Sequence, residues 1–267
     1  MEKNNKIRKY IKGYLFILPN FIGFFVFMAL PIIMGLVISF TDYNGFSQFN
    51  FVGLKNYIDM FHDEYFTVSL KNNLVYTLVT VPGTIVFALL LAVGVNKGIK
   101  GSSLFKTMFF LPNISSMVAV GIVWAMIFNP TQGPLNQVLM ALGVANPPQW
   151  LSATKTALGS VMVVAIWKQA GYYMIIILAG LQSIPSQLYE AASIDGANSV
   201  EKFFKITLPM LSPTMFMVTI LSIINSFQVF DLVNIMTQGG PGRSTNVLVY
   251  RIYQAVSYTH LTLPTIR

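Results

Sequence analysis

The chain has 267 residues, 54% hydrophobic and only 10% charged, with a formal net charge of +8. Soluble domains carry about 25% charged residues, so this composition excludes an ordinary soluble fold and describes one membrane domain. The basic residues are spread over short loops without a dense stripe, which excludes nucleic acid as a partner, and the absence of cysteine excludes disulfides, thiolate metal sites and cysteine nucleophiles.

Residues 1–13 form a basic start, with Lys3, Lys6, Arg8, Lys9 and Lys12 against Glu2. The apolar run 14–40 is too long for a signal-peptide core, and no small-x-small cleavage site follows it. It reads as an uncleaved first helix with Pro19 and Pro31 near its ends. Residues 41–71 are polar and aromatic and include Asp42, Asp59, Asp63 and Glu64. A second helix is expected at 72–95, where Pro82-Gly83 signals a kink. The basic loop 96–106, with Lys97, Lys100 and Lys106, leads to a third helix at 107–128. Loop 129–152 is rich in Pro, Gly and Asn, and Trp150 in it suits a membrane-interface anchor. A fourth helix is expected at 153–181, a polar stretch at 182–213 and a fifth helix at 214–236. Thr237-Gln238-Gly239-Gly240-Pro241-Gly242 is a turn signal. Each of the five runs is long enough to cross ~30 Å of hydrocarbon.

Lys and Arg counts set the orientation. With the N-terminus in the cytoplasm, segments 1–13, 96–106 and 182–213 lie inside and carry five, three and two basic residues. The outer segments 41–71 and 129–155 carry two and one. The expected arrangement is therefore a multi-pass protein of the cell membrane with a cytoplasmic N-terminus, a cytoplasmic 182–213 stretch and a tail outside.

That stretch is a polar, helix-breaking interruption between two long apolar segments. Lipid satisfies neither its charges nor its backbone, so it leaves the bilayer. Pro185-Ser186 reads as a helix start with Ser186 as N-cap. Residues 187–194 form a short helix bearing Glu190, and Gly196 breaks it. Asn198, followed three residues later by Glu201, has capping-box spacing and starts a second helix through Lys205. Leu208-Pro209 and Pro213 redirect the chain into the fifth span. The alternatives are a solvated connector and a helix–Gly–helix elbow that docks a soluble partner. The small residues Ala191, Ala192, Gly196 and Ala197 favour docking, because they permit close approach of another surface.

Intramembrane polar groups are functional candidates by default. In the fifth span Ser222, Asn225, Gln228 and Asp231 recur every three residues along one drifting face. Amides and a carboxylate suit hydroxyl-rich solutes; helix–helix bonding is the alternative role, and Asp231 also suits the outer interface. In the fourth span Trp167-Lys168-Gln169 and Tyr172-Tyr173 form a polar-aromatic break. The two tyrosines are pathway candidates, and Lys168 is expected to snorkel or to pair with a neighbouring subunit. His62 and His260 are far apart in sequence, so no metal site is expected.

Glu190-Ala191-Ala192, Gly196 four residues later, and Ile206-Thr207-Leu208-Pro209 resemble the EAA loop of permease subunits of bacterial ABC importers. The fuller run from Ala179-Gly180-Leu181-Gln182-Ser183-Ile184-Pro185 through Asp195-Gly196-Ala197 is similar to the carbohydrate-uptake branch, which includes maltose, glycerol-3-phosphate and oligosaccharide permeases. Leu18-Pro19, Phe51-Val52-Gly53-Leu54-Lys55-Asn56-Tyr57, Leu111-Pro112 at the opening of the third helix, and Phe230-Asp231-Leu232 with Gly239-Gly240-Pro241-Gly242 and Ser244-Thr245 agree with it. The resemblance covers roughly residues 10–255. It implies an all-α polytopic bundle of the type I importer transmembrane domain, over residues 14–246. Its implied role is a sugar or sugar-like solute pathway. Glu190, Ala191, Ala192, Asp195, Gly196 and Ala197 would couple it to a separate ATPase. The implied partners are a second permease subunit, an ABC ATPase dimer carrying ATP-Mg, and an extracytoplasmic solute-binding protein. The chain holds no G-x-x-x-x-G-K-[ST] phosphate loop, so no enzymatic activity and no cofactor are expected in it.

The family pattern has a final apolar helix after Arg251-Ile252-Tyr253-Gln254. Here the tail 247–267 is atypical, too short and too polar to span, and from about Ser257 it looks foreign to the family. A sixth span is therefore expected to be missing or truncated, with a tail that packs poorly. A secondary transporter or channel is the alternative reading. It predicts mid-membrane coupling carboxylates and inverted repeats. Asp231 is the one acid in or near a span, and no such repeat is evident. A membrane enzyme would need a nucleophile or His/Asp motif, and none is found.

Overall fold

The computed structural model describes residues 2–43, 50–96 and 101–260, with side chains described for these residues from 10 to 257. The expectations placed on Lys97, Lys100, the side chains of Lys3, Lys6, Arg8 and Lys9, and the tail from 261 lie outside them. The described residues are helical apart from loops and one isolated antiparallel bridge, Thr41 to Phe51. The chain divides into two compact units, 1–64 and 65–267.

The first unit begins with α1 (Glu2–Phe24), a wide π-type turn at Phe25–Ala29, and α2 (Leu30–Ile38). Together Tyr10–Ile38 make 29 residues of apolar helix. The wide turn ends two residues before Pro31. A proline ring clashes with the carbonyl four residues back, and the extra residue in the turn relieves that clash without breaking the helix. After α2 the chain turns, and Asn50 donates its backbone N–H (2.6 Å) and its Nδ2 (3.1 Å) to the Asp42 carboxylate. These bonds, the backbone one first, hold the Asp42 carboxyl below its ordinary range. Helix α3 (Lys55–His62) follows.

The second unit is built on two long helices and the shorter ones around them. Helix α4 (Glu64–Asn96) runs through Pro82 without a break. Helix α8 (Ala157–Gln182) is its centre and carries fourteen buried residues. Between them lie α5 (Ser102–Ile114), α6 (Met117–Ile127) and the short α7 (Pro134–Ala141). The expected third helix at 107–128 is therefore two helices, bent by 98° at Ser115-Ser116. Next come α9 (Ser186–Ile194), α10 (Ser199–Lys202), a second wide turn at Phe203–Thr207, α11 (Leu208–Met210) and α12 (Ser212–Phe227). That second wide turn again ends two residues before a proline, Pro209. The segment Ser199–Met210 meets α12 at 66°. The fifth span also stops short of expectation: α12 ends at Phe227, and α13 (Asp231–Met236) follows a break. Helix α14 (Leu248–His260) has 13 described residues. Its first turn is well packed, with Val247 and Tyr250 in the core, so packing extends past the expected limit at 246. Among the described residues, three helices are long and apolar enough to cross a membrane, or up to five if each bent pair is one span.

Two apolar clusters meet along α8. One joins Tyr76, Val120, Phe128, Val161, Leu232 and Tyr250. The other joins Ala88, Ala92, Tyr173, Ile177, Leu211 and Val218. Small residues bring helices close, which is how bundles pack where lipid removes the hydrophobic drive. At Gly171 the approach is extreme: a Cβ there would lie 1.8 Å from the Phe109 carbonyl oxygen of α5. The loop before α8 is tied by Asn136, whose Nδ2 donates to the carbonyls of Pro130 and Pro148 and whose Oδ1 accepts from Trp150 Nε1 at 2.7 Å. Trp150 is thus part-buried against Phe128.

Candidate functional site

Two places concentrate the polar features of the second unit: the elbow at 186–210 and the break between α12 and α13.

The elbow is held by four independent devices. Helix α9 ends at Ile194 with Asp195 as its C-cap, and Gly196 takes φ +79°. Only glycine adopts that conformation without strain. Ala197 N–H then donates to Ala192 O (2.8 Å) and Gly196 N–H to Ser193 O (3.2 Å), the double bond pattern of a Schellman motif. Next, Asn198 Oδ1 accepts from the Val200 and Glu201 N–H groups at 3.0 Å, and Glu201 Oε2 accepts from Asn198 N–H at 3.0 Å. This completes the capping box and leaves few orphan donors. That backbone bond, then Lys205, holds the Glu201 carboxyl below its ordinary range. Third, Lys202 Nζ donates to Ser193 Oγ (2.6 Å). Fourth, the Tyr189 and Thr207 hydroxyls bond at 2.9 Å. The last two join the arms on either side of Gly196. Ser186 is not the N-cap; Pro185 holds that position with no side-chain bond, and Ser186 is the first helical residue.

The result is a stiff bracket with an unfilled outer surface. Glu190, Ala191, Asp195 and Gly196 are exposed, with Ala192 and Ala197 half-buried. The elbow also carries exposed apolar side chains: Ile194 is 87% exposed, Val200 64% and Phe204 60%. Exposure this high for isoleucine and phenylalanine beside small residues is the composition of a contact surface.

At the other place the structure gathers Asn225, Gln228 and Asp231 with Gln169, Tyr76 and Phe230 around one pocket of about 170 Å³. Gln228 and the two residues after it form the helix break itself, so its amide stands where the backbone is irregular. Asn225 Nδ2 donates to Tyr173 Oη at 2.9 Å. Tyr173 is fully buried in the second cluster, so it orients Asn225 and does not line the pocket. Tyr172 is 38% exposed and sets its ring edge against Tyr173, also away from the pocket lining. The regular three-residue polar face expected through 231 ends at Phe227 because the helix does. Gln169 and Tyr76 were not singled out. The polar break at Trp167-Lys168-Gln169 was the available signal for the first, and Tyr76 had none. In this conformation the pocket is smaller than the ~300–1,000 Å³ of sites that enclose a small molecule.

Lys168 is neither snorkelling nor turned to a neighbouring subunit. It is 4% exposed, and its Nζ donates to the carbonyls of Pro112 (2.8 Å), Asn113 (3.1 Å) and Ser115 (3.0 Å). These carbonyls lie at the C-terminal end of α5, where backbone acceptors are orphaned and partial negative charge accumulates. The ammonium thus satisfies the sharp bend between α5 and α6.

Comparison with known proteins places this geometry. The family model for binding-protein-dependent transport system inner membrane components matches residues 84–266. The chain is 40% identical over 256 residues to YesP, a probable ABC transporter permease protein of Bacillus subtilis, covering 95% of this chain and 82% of that one. It is 38% identical over 247 residues to the lactose transport system permease protein LacF of Rhizobium radiobacter, covering 91% and 82%. Among solved structures, a chain of a bacterial alginate ABC transporter, crystallised with its alginate pentasaccharide-bound periplasmic protein, superposes with a TM-score of 0.80. The identity is 25%, over 96% of this chain and 86% of that one.

Proposed function

Since the chain belongs to the family of binding-protein-dependent transport inner membrane components, we propose that it forms half of the solute pathway of an ATP-driven importer and is driven through its elbow. The observation that carries this reading is the bracket at 186–210. It is locked by a Schellman turn, a capping box and two cross-ties, yet presents Ile194 and Val200 uncovered. A spacer needs no such stiffness. A lever does, because displacement at one end of a rigid element reaches the other undiminished. Glu190, Ala191, Ala192, Asp195, Gly196 and Ala197 form the seat for a separate ATPase subunit, and that subunit binds and hydrolyses ATP-Mg.

The orientation follows from the basic residues: N-terminus and elbow in the cytoplasm, loop 41–71 outside. The remaining partners are a second permease subunit, a second ATPase subunit and an extracytoplasmic solute-binding protein. The solute is a sugar or sugar-like molecule. Named relatives carry lactose and sn-glycerol-3-phosphate, and the pocket at the α12–α13 break offers amides and one carboxylate, groups that bond hydroxyls. Asn225, Gln228 and Asp231 line its path, positioned in part by Tyr173; Tyr172 lies beside them.

The test is a pull-down of the ATPase subunit by the full chain and by Glu190→Arg. We expect the reversed charge to reduce recovery of the ATPase and of solute-stimulated hydrolysis at least tenfold, the effect of about 1.4 kcal/mol. Equal recovery with both chains would remove Glu190 from the seat.

A further inference from the structure

The first unit carries a feature the transport reading does not use. Where the apolar span Tyr10–Ile38 ends, the chain builds a small rigid cap. Asn56 Nδ2 donates to the carbonyls of Ser39 (2.9 Å) and Thr41 (2.8 Å), and the Tyr57 and Ser39 hydroxyls bond at 2.6 Å. Asn56 and Tyr57 sit in the first turn of α3, so α3 is fixed within one side-chain length of the end of the span. The Phe40 ring lies 5.5 Å from Tyr57 and 6.4 Å from Phe51. Aromatic rings at the end of a span are the usual occupants of the headgroup zone.

Helix α3 also has two faces. Leu54, Ile58 and Phe61 are spaced four and three residues apart and fall on one side. They are 62%, 57% and 58% exposed. Asp59 lies on the other side, with Lys55 at its edge. Leu54, Ile58 and Phe61 are therefore all more than half open on their side of the helix. Phe51, 78% exposed, also walls an apolar groove of about 390 Å³ with Leu36, Val37, Phe40 and Thr41. Leu36 and Val37 belong to the last turns of the span, so the groove continues the lipid-facing surface of α2 directly into the cap.

We propose that α3 and this groove form a bilayer-surface anchor: α3 lies in the headgroup zone with Leu54, Ile58 and Phe61 in lipid, and the groove holds a phospholipid acyl chain. The occupant follows from continuity. A surface that begins on a membrane span and is pinned at its end meets lipid first, and an amphipathic helix there lowers its free energy by burying its stripe. The anchor holds the end of the first span at a fixed depth. The inference rests on 14–40 crossing the membrane.

The natural chain has no cysteine, so single spin labels report cleanly. The full chain is reconstituted in phosphatidylcholine–phosphatidylglycerol vesicles with Leu54→Cys, Ile58→Cys, Phe61→Cys, Lys55→Cys, Asp59→Cys or Ile33→Cys. Collision with oxygen, which enters lipid, is compared with collision with a water-soluble nickel complex. We expect oxygen to dominate at 33, 54, 58 and 61 and nickel to dominate at 55 and 59. Nickel dominating at 54, 58 and 61 while 33 stays in lipid would overturn the anchor alone. Shielding of 54, 58 and 61 from both reagents would also overturn it, and would show that protein covers the stripe. Nickel dominating at 33 would overturn the membrane reading of the span and the anchor with it.

Discussion

Replacing Gly171 by Ala tests the packing on which the pathway depends. The added Cβ would sit 1.8 Å from the Phe109 carbonyl oxygen and 2.4 Å from its carbon, and these are backbone atoms that no rotamer change can move. Carbon and oxygen in contact settle at about 3.4 Å or more, so α5 must withdraw by roughly 1.5 Å. That withdrawal also stretches the three Lys168 bonds to the end of α5. Overpacking of this kind costs about 1–3 kcal/mol, and the better helix propensity of Ala returns up to about 1. Weakening of the Lys168 bonds adds about 1, so the net loss is about 1–4 kcal/mol. At about 2–4 °C per kcal/mol, the melting temperature in detergent falls by roughly 2–16 °C. Gly159 supplies the control on the same helix: nothing lies within 4 Å of its Cβ position, so Gly159→Ala leaves stability unchanged or raises it by up to ~1 kcal/mol. Equal melting temperatures for the two variants would refute the close approach of α5 and α8.

Lys168→Met leaves the carbonyls of Pro112, Asn113 and Ser115 without their donor and should destabilise the protein by about 2–4 kcal/mol, read by thermal melting; an unchanged midpoint would mean that another donor takes the ammonium's place. Tyr173→Phe removes the hydroxyl that accepts from Asn225 and should cost about 1 kcal/mol while raising the solute KM in uptake; an unaltered KM would remove Asn225 from the pathway. The Glu201 carboxyl lies below its ordinary value in the folded chain, so its capping contribution is complete above the unfolded carboxylate pKa of about 4.3 and fades as pH falls through the lower folded value. Amide exchange at Asn198, whose N–H donates to Glu201 Oε2, corrected for its intrinsic pH dependence, should therefore rise below about pH 4 in the parent and stay flat in Glu201→Gln, which keeps the box without the charge. Parallel curves for the two chains would contradict this.

What the residues alone revealed follows from whether local chemistry decides the structure. The elbow was legible because its signals are local: Gly196 at a left-handed position, and Asn198 with Glu201 at capping spacing. The all-α membrane bundle was legible because long apolar runs have few other homes. The 98° break at Ser115-Ser116 was not. Pro112 marks it, but the donor that satisfies it is Lys168, more than fifty residues away, and such a partner leaves no periodic trace. The break after Phe227 likewise has no Gly or Pro in Gln228-Val229-Phe230. Helix α7 carried a local signal, Gly133 followed by Pro134 at the first helical position, within a loop whose composition hid it. The pocket's amides were visible as costly polar residues in a span. Tyr173 could be told from a lining residue only once its burial was known.

The lever itself is tested most directly by cross-linking in the assembled transporter. Ile194→Cys, at a position 87% exposed on the elbow, is treated with a short bifunctional reagent in membranes, with and without ATP. The account predicts a covalent product with the ATPase subunit and a yield that changes when ATP binds. Reaction of that cysteine with an impermeant thiol reagent added only from outside intact cells would contradict it.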